Sequence, residues 1–169
     1  MDGSLMRHER NDAADLVRQV EDFVQREAQL LDERSFEAWL ALFDEGGWYW
    51  MPASPSQSSP ESALSLLYED KRLLAVRVRR LAHPAVLVES PPTRSHHHVS
   101  TIRVERAEDG TLRSFSAQLI ALFRDNEQQL LSARVTHHLK TDPGGLLIVS
   151  KTVSLLDCDA PRRGFAVPL

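Results

Sequence analysis

The chain has 169 residues, of which 42% are hydrophobic and 26% are charged, proportions typical of a globular domain. This length is enough for one domain with a substantial core and too short for two comfortable ones. The 20 basic and 24 acidic residues give a net charge of -4. That balance argues against nucleic acid or an anionic membrane as the main partner.

Cysteine content and hydropathy restrict the compartment and the cofactors. The single cysteine, Cys158, cannot form an internal disulfide, a cysteine-based zinc ribbon or an iron–sulfur cluster held by this chain alone. The N-terminus lacks the apolar segment of a signal peptide, and no run approaches the ~18 apolar residues that a membrane span needs. We therefore expect a soluble, cytoplasmic protein.

The first part of the chain carries helical patterns. Residues 1–10 are polar and predict a flexible N-terminus, followed by a single domain over residues 11–169. A stripe along residues 12–32 predicts a long helix, and this stripe is apolar except at Glu27. A second helix is expected after Ser35, a plausible N-cap, and it ends at a Gly-Gly pair. The apolar face of this second helix consists of Phe36, Trp39, Leu40 and Phe43.

An aromatic strand, a loop and a third helix follow. Residues 48–51, WYWM, favour a strand because aromatic side chains suit a half-buried pleated surface. Residues 52–60 contain three prolines and four serines and predict a loop. A third helix is predicted over residues 61–81. Its face consists of Leu73, Leu74, Arg77, Val78 and Leu81.

From Pro84 onwards the pattern alternates with the period of β-strands. Turn sequences such as AEDGT, RDNEQ and DPGG separate the last four strands, which predicts an antiparallel meander. Helices followed by strands make an α+β domain. The predicted strands lie at residues 85–89, 97–106 and 114–124, and around residues 131–139 and 147–155.

Three of these strands show a clear alternation. The first of the three has Phe115, Ala117, Leu119, Ala121 and Phe123 on one face. The next has Leu131, Ala133, Val135, His137 and Leu139 on one face. The last has Leu147, Val149, Val153 and Leu155, and this face is interrupted only by Lys151.

Four stretches of the chain, residues 30–52, 68–81, 91–105 and 151–161, together resemble one family. They are similar to the small (beta) subunit of aromatic-ring-hydroxylating dioxygenases, the Rieske, non-haem-iron oxygenases of bacterial aromatic catabolism. The first stretch is shared with the wider cystatin-like, nuclear-transport-factor-2-like superfamily. The resemblance implies a cystatin-like cone, in which N-terminal helices pack in a strongly curved, mostly antiparallel sheet.

The resemblance also implies an assembly of three large and three small subunits. The large subunit of such enzymes carries the Rieske iron–sulfur cluster and the mononuclear iron, and it adds both atoms of dioxygen to an aromatic ring. This chain has no CxH…CxxH pair, so we expect it to hold no cofactor and no metal. We expect a structural subunit without its own catalytic residues, which trimerises and supports the large catalytic subunit.

The alternative is a stand-alone enzyme of the same fold. The resemblance to the wider superfamily, with its dehydratases, isomerases and cyclases, implies an acid at the helix corner and a histidine on the facing sheet; Asp32 and His97 match these positions. A buried histidine held by a carboxylate is a suitable general base. Residues 98, 100, 102 and 104 look like the more apolar face, which would turn His97 away from the core. A third class is a module whose cone binds a small apolar molecule without chemistry.

Histidines on two strands raise the further alternative of a metal site. The residues of His96–His98 alternate along a strand, so they cannot all face one ion. One or two of them with His137 or His138, and with Asp32, would form a facial triad, although the spacing matches no metal motif. We expect these histidines to lie at the surface or at an interface. The interface candidates are Trp48, Trp50, Arg77, Arg80, His96 and His98.

Overall fold

The structure of the chain is a computed structural model. It describes residues 2–82, 90–161, 164–165 and 167–169, without the side chains of residues 2–13 and 101. The strand predicted at residues 85–89 lies outside the described residues. Within them the chain forms α1 (Asp2–Asp32), α2 (Phe36–Leu40), β1 (Phe43–Met51), β2 (Leu67–Asp70), α3 (Lys71–Ala82), β3 (Arg94–Arg106), β4 (Leu112–Arg124), β5 (Glu127–Asp142) and β6 (Gly145–Leu155).

The described strands form one mixed sheet in the order β2-β1-β6-β5-β4-β3. Strands β3 to β6 are antiparallel neighbours, so the predicted meander is confirmed. Strand β1 extends the sheet by pairing in parallel with β6 and antiparallel with β2. We call the face that packs against the helices the inner face and the opposite one the outer face. Helices packed on a mostly antiparallel sheet confirm the predicted α+β class.

The hydrophobic core lies between the helices and the inner face. Helix α1 contributes Val24 and Leu31, which are at most 2% exposed, and α2 contributes the fully buried Trp39. The Trp39 ring packs edge-on against Phe43 and Tyr49, with centroids 5.1 and 6.2 Å away, a geometry that adds to the gain from burial. None of the helices in the described part is both long enough and apolar enough to cross a lipid bilayer.

Helix α2 and strand β1 meet earlier than the sequence predicts. The helix ends at Leu40, and Phe43, predicted on its apolar face, instead begins β1. The main-chain nitrogen of Ile148 in β6 donates to the carbonyl of Leu42 at 2.8 Å, which brings the chain into the sheet directly after the helix. Gly47 is required in β1, because a Cβ atom there would lie 2.7 Å from the carbonyl oxygen of Ile148.

The other two helices also differ from their predicted bounds. Helix α1 begins at Asp2, well before the predicted start near residue 12. The third helix, predicted over residues 61–81, begins only at residue 71. The Asp70 carboxylate accepts a hydrogen bond from the main-chain nitrogen of Leu73 at 2.9 Å, and this cap sets the start of α3. Leu73, expected on the packed face, is 54% exposed.

A β-bulge in β3 reverses the expected orientation of His97. The pairing of β3 with β4 shifts by one residue between Ser100 and Arg103. The extra residue places Ile102 on the same face as His97, rather than with His98, and Ile102 packs against the core. His97 is 7% exposed and faces inward, so the expectation that it turns away from the core is wrong.

The row of apolar side chains on β4 lies on the outer face. The alternate residues are the buried ones: Leu112, Ser114, Ser116, Gln118 and Ile120. Strand β5 follows the expected parity and buries its predicted row from Leu131 to Leu139. In β6 a register shift around Val149 interrupts the alternation, so Ile148 rather than Leu147 shares the buried face with Lys151.

Candidate functional site

Three ionisable side chains meet where α1 crosses the inner face of β5 and β6. The Nζ atom of Lys151 donates to Oε1 of Glu27 at 2.8 Å, and Nε2 of His137 donates to Oε2 of Glu27 at 2.7 Å. None of the three side chains is more than 2% exposed. We call Glu27, His137 and Lys151 the buried triad.

Neighbouring groups add further contacts to the buried triad. Nε1 of Trp39 donates to Oε1 of the carboxylate at 3.0 Å. The Ser114 hydroxyl lies 3.4 Å from Nδ1 of the imidazole. The ammonium group lies 5.7 Å from the centroid of the Tyr49 ring, and the Tyr49 hydroxyl bonds the main-chain oxygen of Leu169 at 3.1 Å. These contacts supply the partners that burial of charged groups requires.

The buried triad is an ion pair assisted by an imidazole. Burial by itself would raise the pKa of Glu27, because desolvation disfavours the carboxylate. The charges of Lys151 and His137 and the hydrogen bonds from both outweigh burial and hold the pKa of Glu27 far below its ordinary value. Burial raises the pKa of the Tyr49 phenol well above its ordinary value, so the hydroxyl next to the triad stays neutral.

Strand register is what assembles the buried triad. His137 and Lys151 are directly paired on β5 and β6, and Ser114 is the partner of His137 on β4. The sequence marks Glu27 and Lys151 as polar interruptions of apolar faces but does not connect them. The signal that could have linked them is that polar groups on apolar faces need buried partners.

A second carboxylate–histidine pair lies at the C-terminal end of α1. One oxygen of Asp32 accepts a hydrogen bond from the main-chain nitrogen of His97 at 2.9 Å. The other oxygen lies 2.6 Å from Nδ1 of the same histidine. The His97 side chain is 1% exposed and that of Asp32 is 20% exposed. The structure therefore brings together the two residues of the alternative dyad, which we call the rim pair.

The rim pair is less completely satisfied than the buried triad. Because a carboxylate faces Nδ1 of His97, we assign a proton to Nδ1; in the neutral imidazole Nε2 is then the acceptor. Nε2 is buried and has no hydrogen-bond partner among the described residues. Burial would raise the pKa of Asp32, but the hydrogen bonds from His97 outweigh it and lower that pKa. His96 lies beside the pair, 3.6 Å from Asp32, with its side chain 81% exposed.

Comparison with known proteins identifies the family of the chain. The family described as the ring hydroxylating beta subunit matches residues 26–161. The small oxygenase component of the p-cumate 2,3-dioxygenase system from Pseudomonas putida is 32% identical over 146 residues, which cover 85% of this chain and 81% of that protein. The chain belongs to the family of ring-hydroxylating beta subunits.

Solved structures agree with the fold of this beta subunit. Naphthalene 1,2-dioxygenase with indole bound in its active site has a chain that matches with a TM-score of 0.80 at 19% identity, over 92% of this chain and 86% of that chain. A protein from Novosphingobium aromaticivorans with a cystatin-like fold, similar to nuclear transport factor 2, matches with a TM-score of 0.64 at 16% identity, over 93% and 92%. The predicted cystatin-like architecture is confirmed.

The described residues of the beta subunit do not fit a Rieske cluster or an iron site. Cys158 is 3% exposed, and within the described ranges no three His, Cys, Asp or Glu side chains are placed to hold a metal ion. His137 bonds Glu27 rather than Asp32, and His97 faces inward while its neighbours on the strand face outward. The facial triad considered as an alternative is therefore not assembled.

The two tryptophans among the interface candidates are covered to different degrees. Trp50 is 7% exposed, and its Nε1 donates to the hydroxyl of Ser65 at 2.9 Å. Trp48 is half-buried and packs edge-on against Tyr68, with centroids 5.8 Å apart. Trp48 therefore keeps more surface for a partner than Trp50 does.

The remaining interface candidates lie at the surface or close to it. Arg77 is half-buried and bonds both carboxylate oxygens of Glu69, with its Nε atom 3.0 Å from Oε2. Such a bidentate pair holds the guanidinium within its own chain. The exposed candidates are Arg80, His96 and His98.

Proposed function

We propose that the chain is the non-catalytic small subunit of an aromatic-ring-hydroxylating dioxygenase, which trimerises and buttresses a larger catalytic subunit. The family match over residues 26–161 and the relative named as a small oxygenase component support this role. The Rieske cluster and the mononuclear iron would lie in the larger chain. That chain would select the aromatic substrate and receive electrons from a reduced nicotinamide donor in the cytoplasm.

One structural observation carries the non-catalytic part of the proposal: the ionisable groups at the centre of the inner face bind one another. A general acid or base must come within hydrogen-bonding distance of its substrate. Glu27, His137 and Lys151 are at most 2% exposed and already have partners. This supports a scaffold, because the centre of the fold is packed as a core.

Scaffolding has a direct physical mechanism. A subunit that binds only the folded form of a catalytic chain stabilises that form by mass action. A specific contact of this kind buries roughly 1,000 Å² or more of surface. The catalytic chain should therefore lose stability when this subunit is removed.

Native mass spectrometry of the tagged chain, purified from its own cells, tests the proposed function. We expect a complex that contains equal numbers of this chain and of a larger chain with bound iron. A homodimer or homotrimer without a larger chain would contradict the scaffold role.

The rim pair supports a second candidate, a stand-alone dehydratase, isomerase or cyclase. The observation in its favour is that the Asp32 carboxylate lies 2.6 Å from Nδ1 of His97, whose Nε2 has no partner among the described residues. A histidine oriented by a carboxylate in this way is a suitable general base. We rank this candidate second because the family match supports the subunit role.

Replacement of the rim pair separates the two candidates. As part of a scaffold, Asp32→Ala and His97→Ala should leave the activity of the complex largely unchanged as long as the chain folds. As part of an enzyme, either change should lower activity by about 10²–10⁴-fold without loss of fold. Asp15→Ala is the control, because Asp15 is an exposed carboxylate on the same helix whose ion-pair partner is Arg18.

A further inference from the structure

The outer face of β4 and β5 carries a contiguous apolar patch. Leu119 is paired with Ser132, and the main-chain nitrogen of Leu156 donates to the Ser132 carbonyl at 2.8 Å, so these residues lie side by side. Leu130 is paired with Ala121. Leu119, Leu130 and Leu156 are 46%, 64% and 80% exposed. The sheet patch consists of Phe115, Ala117, Leu119, Ala121, Phe123, Leu130 and Leu156.

Arginines border the sheet patch. The Arg103 guanidinium lies over the Phe115 ring, and the Arg94 guanidinium lies over the Phe123 ring, each 4.6 Å from the ring centroid. Arg103 also bonds the exposed Glu105 at 3.1 Å. An apolar centre with aromatic side chains and arginine is the composition of protein interfaces, and exposed patches of this kind mark interaction sites. The rim arginines are Arg94, Arg103 and Arg134.

A second copy of this chain matches the sheet patch poorly. Two copies that met patch to patch would oppose their rim arginines. A second group of exposed apolar side chains lies on and before α3, where Arg79 and Arg80 are also exposed. A head-to-tail contact would place the sheet patch of one copy on this group of the other copy and would therefore also oppose like charges. Two of the acids beside this group, Glu69 and Asp70, already pair with arginines of their own chain. This second group consists of Leu64, Leu66, Tyr68, Leu73 and Val76.

The carboxylates exposed on α1 do not match the sheet patch either. Asp15 and Asp22 are exposed there and would suit the rim arginines. Over residues 14–32, however, no large hydrophobic side chain is exposed. This surface therefore offers carboxylates but could not cover the apolar centre of the patch.

We propose that the sheet patch docks the larger catalytic chain, through an apolar surface of that chain bordered by Asp or Glu side chains. This inference rests on the proposed function and adds the surface used and the chemistry of the partner. Carboxylates of the partner would pair with Arg94 and Arg134, and would replace Glu105 at Arg103. Two of the rim arginines are already held against phenylalanine rings, so they lose little side-chain freedom on binding. Association between copies of this chain then uses a different surface.

Leu119→Asp tests the proposal, with Leu73→Asp as its matched control. The two leucines are 46% and 54% exposed, and each variant adds one negative charge, so both should fold. The tagged chain is purified from its own cells and analysed by native mass spectrometry, with the larger chain identified by its mass and its iron. We expect Leu119→Asp to lower the fraction bound to the larger chain at least tenfold while copies of this chain still associate. Leu73→Asp should leave that fraction unchanged.

Rim variants test the chemistry of the partner. Arg103→Glu and Arg134→Glu should slow association of the larger chain and weaken the dependence of that association on salt, because they remove attracting charges at the border. Arg103→Lys keeps the charge and should associate at a rate close to wild type. Faster association of the glutamate variants would show that the partner is basic and would overturn the proposed chemistry.

Three results would overturn the proposed surface. Leu119→Asp could separate copies of this chain while the larger chain stays bound, which would assign the patch to a second copy. It could leave both associations intact, which would leave the patch without a docking role. Release of the larger chain by Leu73→Asp alone would place the contact on α3. Failure of the proposed function would differ from failure of the proposed surface, because the wild-type chain itself would then bring down no larger chain. The inference would fall with the proposed function in that case.

Discussion

Two carboxylate–histidine pairs on the same helix differ in their surroundings. Glu27 and Asp32 are five residues apart on α1, and their carboxylates lie 2.7 and 2.6 Å from His137 and His97. The Glu27 pair lies at the centre of the core, where Lys151 balances its charge. The Asp32 pair lies at the end of the helix, where the carboxylate remains 20% exposed.

The difference shows how position decides what the same chemistry can do. At the centre, desolvation makes an unpaired carboxylate costly, so the buried triad is stable only as a complete set. At the helix end, the carboxylate keeps access to water, and the histidine keeps a ring nitrogen without a partner among the described residues. We therefore expect the triad to control stability, and the rim pair to tolerate substitution.

Loss of the triad's cation should have the largest effect. Lys151→Ala leaves the carboxylate of Glu27 buried with one cation removed, and we expect the free energy of unfolding to fall by about 3–5 kcal/mol. Urea denaturation monitored by tryptophan fluorescence measures the change. A loss below about 1 kcal/mol would show that water reaches the cluster.

The double variant Glu27→Met/Lys151→Met sharpens this result. It removes both charges and keeps the volume, so it should recover much of the stability lost by Lys151→Ala. Recovery should be incomplete, because Nε1 of Trp39 and Nε2 of His137 lose their acceptor. A double variant no more stable than Lys151→Ala would show that the hydrogen bonds lost by Trp39 and His137, rather than the charge of Glu27, dominate the stability of the cluster.

Acid should weaken the wild-type chain more than this double variant. The folded-state pKa of Glu27 is lowered, so its contribution is present above its unfolded pKa of about 4.3 and is lost as pH falls toward the folded value. Asp32, whose pKa is also lowered, contributes with the same sign in both proteins. The free energy of unfolding measured from pH 6 to pH 3 should therefore fall more steeply in wild type. Parallel curves would contradict the assignment of Glu27 as a buried anion.

Removal of one donor to the buried triad should have a smaller effect. Trp39→Phe keeps most of the aromatic packing and deletes the hydrogen bond to Glu27, which should cost about 1.5–3 kcal/mol. Thermal unfolding followed by circular dichroism measures it. The same replacement at the half-buried Trp48 is the control and should change stability by less than about 0.5 kcal/mol.

Change at the rim pair should have the smallest effect. Asp32→Asn keeps an acceptor for His97 but removes the charge, and partial exposure limits the loss to about 1 kcal/mol. Activity of the assembled complex should stay within about threefold of wild type. A loss of orders of magnitude in a folded variant would reverse the comparison and make the rim pair catalytic.

Local pattern predicted the meander and the positions of its turns, because alternation and turn residues act over a few neighbouring residues. It placed the start of α3 wrongly, because residues 67–70 pair with β1 as strand β2 and the cap at Asp70 starts the helix at residue 71. It also misjudged His97, because a bulge changes the parity of every residue after it. Asp32 and His97 were found as a candidate pair only through the family resemblance.

The sequence by itself determined the class of the fold, the order of its three helices and of the four meander strands, and the family, since these depend on local periodicity and on motif residues spread along the chain. Only the tertiary structure decided which polar groups meet. Glu27, Ser114, His137 and Lys151 are separated by up to 124 residues, and only the register of β4, β5 and β6 under α1 brings them together. The apolar row of β4 faces outward because the pairing of β4 with β5 turns the alternate residues, from Leu112 to Ile120, toward the helices. The helices cover only that face of the sheet.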